Sequence, residues 1–587
     1  MRKLLRFLEP DRGKVAVVMA LALAASFANL MLPRLMAEIV DQGIVHGQRR
    51  VIVEIGGLML LVAVFATACA VANSYFSAKI ATGFGVAVRR AVFARAESLS
   101  IRQFEHFGSA SLITRTTNDT TQVQQLLTMV LSFVITAPMM AIGGVFLALS
   151  QDPQLAWVLM AIIPIMAIVF GVVMSRSVPL STAMQDKIDR LNLVLGEGLS
   201  GLRVIRAFDR GVEQRARFDQ ANRDLTDTAI AVNRLIAILF PALLLMFNLT
   251  SIVIIWVGAH RIEAGAMQVG TLIASLQYAM QILFSVFMVA AMFVMLPRAS
   301  ASAKRISEVL DVVPDVPDVP RVPNVIDVGG VGAGSAPAAA RGVVTFEHVT
   351  FQYPGADEAA ISDVSFSAGP GEVTAIVGGT GSGKSTLAGL IPRFYDANGG
   401  RVLIDGVDVK RVPLADLRAR IGFVPQNAVL FTGTPASNIR FGREDASDDE
   451  VRKAAETAQA LDFVTAMTDG FDGAVAQGGQ NLSGGQKQRL AIARAIVRRP
   501  DIYVFDDSFS ALDFATDARL RAALRSETSH ATVIIVAQRI STIISADRIV
   551  VLDDGKVVGI GTHTELLGAN AIYREIVASQ ASLNEVA

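Results

Sequence analysis

The sequence has almost no cysteine. Cys69 stands alone among 587 residues, inside an apolar run, so no intrachain disulfide holds this fold. A surplus of charge is also missing. Lys+Arg and Asp+Glu balance at 53 each, and no global charge points to nucleic acid as a partner. Charge of either sign is scarce, 18% of residues against 52% apolar, a bias towards membrane proteins. The basic, amphipathic start, Met1 to Lys14, leads into an apolar run that no clear small-residue cleavage site closes, and further apolar runs follow. A removed signal peptide is therefore disfavoured. The chain is too long for one ordinary domain. Long apolar runs fill it up to Leu296, whereas from Gly342 on it reads as a soluble α/β domain.

Six stretches are long and apolar enough to cross a bilayer: Val15–Leu35, Ile52–Tyr75, Leu127–Ser150, Leu155–Met174, Leu235–Ala259 and Leu272–Leu296. A crossing takes about 20 helical residues. Pro33, Pro138, Pro164 and Pro241 lie inside them, where membrane helices tolerate proline and can kink. Ala78–Leu126 carries Lys79, Arg89, Arg90, Arg95, Arg102 and Arg115, and Ser175–Arg234 carries ten Lys/Arg. The opposite connections hold only Arg49, Arg50 and Arg261. The positive-inside rule puts the two long loops, and hence both termini, in the cytoplasm.

Those loops do not read as coil. Leu191, Val194, Leu195, Leu199 and Leu202 recur at helical spacing, so the membrane helices are expected to run on beyond the bilayer. Polar residues inside the spans (Asn29, Asn73, Asn248, Gln277, Gln281) are expected to bond between helices. Met280, Met288, Met292 and Met295 read as adaptable packing rather than as a drug site. Asp311–Arg341 carries five prolines and a Gly/Ala run, which excludes a helix and predicts a tether, extended and then flexible. The expected division is 1–310 for the membrane domain, 311–341 for the linker and 342–587 for a nucleotide-binding domain.

"EVTAIVGGTGSGKST" passes from a buried strand into a glycine loop and a helix, and Gly378, Gly383, Lys384 and Ser385 fit the P-loop spacing. Gly378, Gly379, Thr380, Gly381, Ser382 and Gly383 let backbone N–H groups close around phosphate oxygens. Lys384 adds a cation, Ser385 a Mg²⁺ ligand, and Thr386 continues the helix. "DIYVFDD" delivers Asp506 to the end of an apolar strand, where its carboxylate can hold Mg²⁺. In "LSGGQKQRLAIARAI", Ser483, Gly484, Gly485 and Gln486 open a helix, an arrangement that serves equally as a helix cap and as an anion site.

With LSGGQ between a P-loop and that Asp strand, the chain resembles an ABC transporter half of the exporter type. The fold this implies is an α-helical membrane domain of six transmembrane helices with long cytoplasmic extensions, plus an α/β P-loop ATPase domain. "FEHFGSASLITRTTNDT" and "EGLSGLRVIRAF" resemble the cytoplasmic loops that flank the coupling helices of such exporters. The resemblance further implies ATP and Mg²⁺ as cofactors, Tyr353 stacking on adenine, Gln426 as the Q-loop residue sensing Mg²⁺, and Ser510–Asp513 as the D-loop. In that family each ATP lies between the P-loop of one chain and the LSGGQ of another, so a second half-transporter is implied.

Two positions depart from the pattern. Asp507 stands where the family usually has a Glu that orients the attacking water, and Gln538 where it has a switch His. The pairing resembles the degenerate-site subunit of heterodimeric exporters, with Glu and His supplied by the partner. Pro435, where the family usually has an aliphatic residue, has no assigned role. The expected function is ATP-driven export of a small molecule across the cytoplasmic membrane. The substrate class is open, and the apolar spans permit lipophilic compounds. Two alternatives keep the fold: an importer of metal-chelate complexes, and an ATP-gated channel or regulatory subunit. Stoichiometric substrate movement per ATP separates transport from gating.

Overall fold

The structure, a computed structural model, describes residues 3–319 and 341–584. It divides into two compact units, Met1–Ser98 with Phe107–Val312, and Leu99–His106 with Val313–Ala587.

The first unit is built from six long helices: α1 (Leu4–Ile44), α2 (Arg49–Ser98), α3 (Ser109–Gln151), α4 (Pro153–Ser200), α5 (Gly211–Glu263) and α6 (Val269–Asp311). Each contains one of the expected spans. At 50 and 48 residues, α2 and α4 extend about 75 and 72 Å at 1.5 Å per residue. That is more than twice the roughly 30 Å of a hydrocarbon core. The basic connections are therefore largely helix, as their spacing predicts. Leu60, Leu61, Phe146, Trp157 and Trp256 lie exposed on the outside, the arrangement of side chains meant for lipid.

Inside the bundle, Leu30 of α1, Ala148 of α3, Leu159 of α4, Ile254 of α5 and Tyr278 of α6 share one core. Gln281 donates to the Asn29 carbonyl at 3.2 Å, joining α6 to α1 as expected of a polar residue in a span. Asn73 instead accepts from Ser77 of its own helix. Among the four expected proline sites, Pro138 alone coincides with a break. α3 is interrupted at Val134 and Ile135, because Pro138 has no N–H to give the Val134 carbonyl and its ring crowds that oxygen. Pro33, Pro164 and Pro241 sit within unbroken helix. Further along α3's first turns, Asp119 is fully buried and accepts from Arg305 Nε at 2.7 Å and Ser302 Oγ at 2.9 Å, both on α6.

The second unit carries two sheets. β1 (Val344–Phe351), β2 (Ile361–Ala368), β4 (Gly399–Ile404) and β5 (Val407–Asp408) form an antiparallel sheet in the order β2-β1-β4-β5. The larger sheet runs β10-β9-β3-β8-β7-β6, with β3 (Val373–Gly378), β6 (Ile421–Val424), β7 (Ile502–Asp506), β8 (Thr532–Val536), β9 (Arg548–Asp553) and β10 (Lys556–Gly561). β6, β7, β8, β3 and β9 are mutually parallel and β10 is antiparallel. Every residue of β7 and β8 is buried. Their near-continuous apolar composition, broken only by Thr532 at the start of β8 and Asp506 at the end of β7, reflects a parallel strand covered on both faces.

The start of the linker is anchored. The Asp315 carboxylate accepts from Arg102 Nε at 3.0 Å and Gln103 Nε2 at 2.8 Å. Asp318 accepts the Leu414 N–H at 2.9 Å. The rest of the expected tether, with Pro320, Pro323, Pro337 and the Gly/Ala run, lies outside the described residues.

Candidate active site

In a parallel sheet the carboxyl ends of neighbouring strands face the same way, and ligands bind at that edge. Four adjacent strands bring the predicted residues there. β3 ends at Gly378 and opens the loop Gly379–Gly383, β7 ends at Asp506 with Asp507 next, β8 leads through Ala537 to Gln538, and β6 leads to Gln426. Residues far apart in sequence thus become neighbours through strand order alone.

The glycine loop has its composition for steric reasons. Gly383 has φ +93°, and a Cβ there would stand 2.4 Å from the Ala360 carbonyl oxygen. At Gly378 a Cβ would come within 2.1 Å of the Leu552 oxygen. Gly383 immediately precedes α7 (Lys384–Leu390). Lys384 curls back over its own loop, donating to the carbonyls of Gly379 at 2.6 Å and Gly378 at 3.0 Å. Ser382 Oγ lies 3.3 Å from the same ammonium. Thr380 and Gly381 complete the loop, and Thr386 Oγ1 lies 3.0 Å from the Tyr353 hydroxyl. Tyr353 is half-buried, edge-on to Phe351 and to Tyr395, so its ring is fixed beside the loop.

Ser385 Oγ donates to Asp506 Oδ1 at 2.9 Å. Two hard oxygen ligands converge there, the donor set Mg²⁺ prefers, and they lie beside the loop and ammonium that suit a triphosphate. The residues therefore fit MgATP: the loop amides and Lys384 to hold phosphate, Ser385 and Asp506 to hold the metal. When bound, Mg²⁺ neutralises phosphate charge.

Asp507 is buried and takes φ +44°, a left-handed turn that carries the chain out of the sheet. Its N–H bonds the Val536 carbonyl at 2.9 Å, and its carboxylate accepts from Gln426 Nε2 at 3.2 Å. Burial pushes both the Asp506 and Asp507 carboxyls above the ordinary range. Hydrogen bonds from Ser385 and Gln426 respectively oppose that shift. Burial also lowers Lys384, against the pull of Asp507 and Asp506. Gln538 is exposed, and its carbonyl accepts from Gln580.

Ser483–Gln486 is set apart. Ser483 Oγ accepts from the Gln486 N–H, and Gln486 Oε1 accepts from the Ser483 N–H at 2.9 Å, a reciprocal cap on α8 (Gly484–Val497). Among the described residues no hydrogen bond joins this segment to the glycine loop. Sequence reasoning did not single out Tyr395, Thr386 as a partner of Tyr353, or Gln580. Tyr395 carries no motif of its own, Thr386 is placed only within the P-loop run, and Gln580 lies beyond the ATPase signatures.

Comparison with known proteins agrees with this geometry. Residues 15–286 match the ABC transporter transmembrane region and residues 361–510 the ABC transporter family. An uncharacterized ABC transporter ATP-binding protein of Mycobacterium tuberculosis is 44% identical over 576 residues, 98% of this chain and 97% of that one. An ATP-dependent lipid A-core flippase of Thiobacillus denitrificans is 32% identical over 99% of this chain and 98% of its own length. The ATP-bound structure of a bacterial Atm1-family ABC exporter superposes with a TM-score of 0.80 at 27% identity, covering 97% of this chain and 98% of that one. With six apolar helices, a P-loop glycine turn, an Asp-ended strand and an LSGGQ helix in one chain, this multi-pass membrane protein belongs to the ABC transporters, as an exporter-type half-transporter that hydrolyses ATP.

Proposed function

We propose that this chain is the degenerate-site half of a heterodimeric exporter in the cytoplasmic membrane, with both termini in the cytoplasm. The observation that carries this reading is the pair Asp507 and Gln538 beside an otherwise intact phosphate cradle. A carboxylate one methylene short of Glu is displaced from an attacking water, and misplacement by about 1 Å can cost on the order of a hundredfold in rate. A neutral Gln in place of His removes a group aimed at developing phosphoryl charge, a loss of about 3 kcal/mol in comparable sites. Lys384, Ser385, Asp506 and Tyr353 then bind MgATP here while turnover is slow. Ser483–Gln486 faces the partner's P-loop, and the partner supplies the Glu and His of the faster site.

The substrate class is lipophilic. Likeness to a relative named a lipid A-core flippase supports it, and the apolar spans permit it. In the test, the purified chain in lipid is compared with the chain plus its partner. The chain alone should show little ATPase activity, and Asp507→Glu with Gln538→His should raise hydrolysis at this chain's own P-loop. Vigorous turnover by the chain without a partner would overturn the heterodimer.

A further inference from the structure

We infer that Gln580, on the C-terminal helix α9 (Ala571–Asn584), is a positioning residue that fixes the switch loop of this chain's ATP site, an inference that rests on reading Gln538 as the switch position. Gln580 Nε2 donates to the Gln538 carbonyl at 2.6 Å, and Gln580 Oε1 accepts the Ile540 N–H at 2.8 Å. One amide thus engages both peptide groups that flank Arg539, as a neighbouring strand would.

The delivery of that amide is built into the helix. Ile572, Tyr573, Ile576 and Val577 form the inner stripe of α9, packed on the core that also holds Ala537, Ile540 and Ile543. Tyr573 is fully buried, and its hydroxyl lies 2.8 Å from His563 Nδ1. Gln580 follows Ile576 and Val577 at helical spacing, so it is the next position on the same stripe. An apolar residue there would continue the packing and leave a carbonyl and an N–H of the loop without these partners.

The pinned segment reaches the reacting end of the site through Arg539. Its guanidinium donates to the Ser510 carbonyl at 2.9 Å, within the D-loop, and lies 5.6 Å over the Phe514 ring. Its charge also acts on the Asp507 carboxylate. Gln580 touches no nucleotide-binding group itself. It holds the backbone from which Gln538 and Arg539 project.

The test uses the reconstituted transporter with its partner and the radiolabelled photoaffinity analogue 8-azido-ATP with Mg²⁺. The rate at which label bound to this chain is lost during a chase with unlabelled MgATP is compared with wild type. Gln580→Ala and Gln580→Leu should each release label about three- to tenfold faster, the size of one or two lost hydrogen bonds. The Leu variant keeps the apolar packing, so an equal effect in both separates the hydrogen bonds from helix docking. Gln580→Glu keeps the acceptor and loses the donor while ionised. Protonation restores the donor, so its release, relative to wild type at the same pH, should slow as pH falls from about 7.5 to about 5, the side on which a Glu of ordinary pKa near 4.3 begins to take up its proton. Wild-type release rates in the Ala and Leu variants, or a Glu variant whose ratio to wild type is the same at both pH values, would overturn the inference. Wild-type release as fast from this chain as from the partner would count against the degenerate-site reading instead, while the variant ratios would still report on Gln580.

Discussion

Gln426 donates its side-chain amide to Asp507, Nε2 to Oδ2 at 3.2 Å. The exits of β6 and β7 are thereby tied through the residue that departs from the family pattern. The Gln426 carbonyl in turn accepts from Gln488 on α8, the helix that begins with Gly484, at 3.3 Å. The altered carboxylate and the LSGGQ helix therefore share one hydrogen-bonded path, although in the proposed heterodimer they serve different ATP molecules.

That division predicts unequal mutants. Gly484→Asp should nearly abolish steady-state ATPase activity of the reconstituted pair, and Asp507→Asn should leave most of it. Within this chain a Cβ at Gly484 meets only the Ala511 Cβ, at 3.9 Å, so the substitution should fold and its effect should come from the facing nucleotide. Equal, near-total loss from both changes at saturating MgATP would point to a homodimer.

The affinity for MgATP should fall on both sides of neutrality. Asp506 and Asp507 are raised by burial, so protons compete with Mg²⁺ at a higher pH than for an ordinary Asp, whose pKa is near 3.9. Lys384 is lowered by burial and gives up its charge earlier than a free lysine on the alkaline side. Titrating MgATP binding between pH 8 and about 5, where an ordinary Asp stays ionised, tests the acid limb. A flat affinity over that range would mean that no proton displaces Mg²⁺ at these carboxylates above about pH 5.

Gly383→Ala should destabilise the second unit by about 2 kcal/mol or more. The residue has φ +93°, and a Cβ would collide with the Ala360 oxygen at 2.4 Å and with Ile361 Cδ1 at 2.6 Å. Thermal unfolding and nucleotide photolabelling should fall together. Gly381→Ala makes a useful contrast, since its φ is also positive, +86°, but no atom lies within 4 Å of the added Cβ.

Arg305→Ala should destabilise the membrane unit by about 3 kcal/mol, because it leaves the buried Asp119 carboxylate without its cation. The double change Asp119→Ala with Arg305→Ala should cost less than Arg305→Ala alone. Unfolding midpoints of Arg305→Ala, Asp119→Ala and the double variant in detergent decide it. Simple additivity would mean that the pair is not acting as a pair.

Much of this architecture was legible from composition and spacing. Apolar length fixed the six spans, and the helical recurrence of Leu191, Val194, Leu195 and Leu199 foretold that α4 runs on. The P-loop spacing located Gly378, Lys384 and Ser385 because few alternatives satisfy a strand, a glycine turn and a helix in succession. Harder to see was anything set by a single side chain meeting distant backbone. Asp315 looks like one more polar residue in a proline-rich tether, yet it accepts from Arg102 and Gln103. Gln580 belongs to no signature at all. The break at Val134–Ile135 was half legible: Pro138 marks it, but Pro33, Pro164 and Pro241 carry the same signal without the same result.

The strand order has a consequence for biosynthesis. β8 lies between β3 and β7, and it is made after both: Val373 pairs with Val533, and Tyr503 pairs with that same residue from the other side. A nascent chain that has already exposed its glycine loop and Asp506 still lacks the strand that sets them side by side. The Ser385–Asp506 contact can close only once Thr532–Val536 has left the ribosome and inserted. Such non-local insertion is slow relative to local helix formation. The paired serine and aspartate are therefore complete only in chains long enough to finish the sheet.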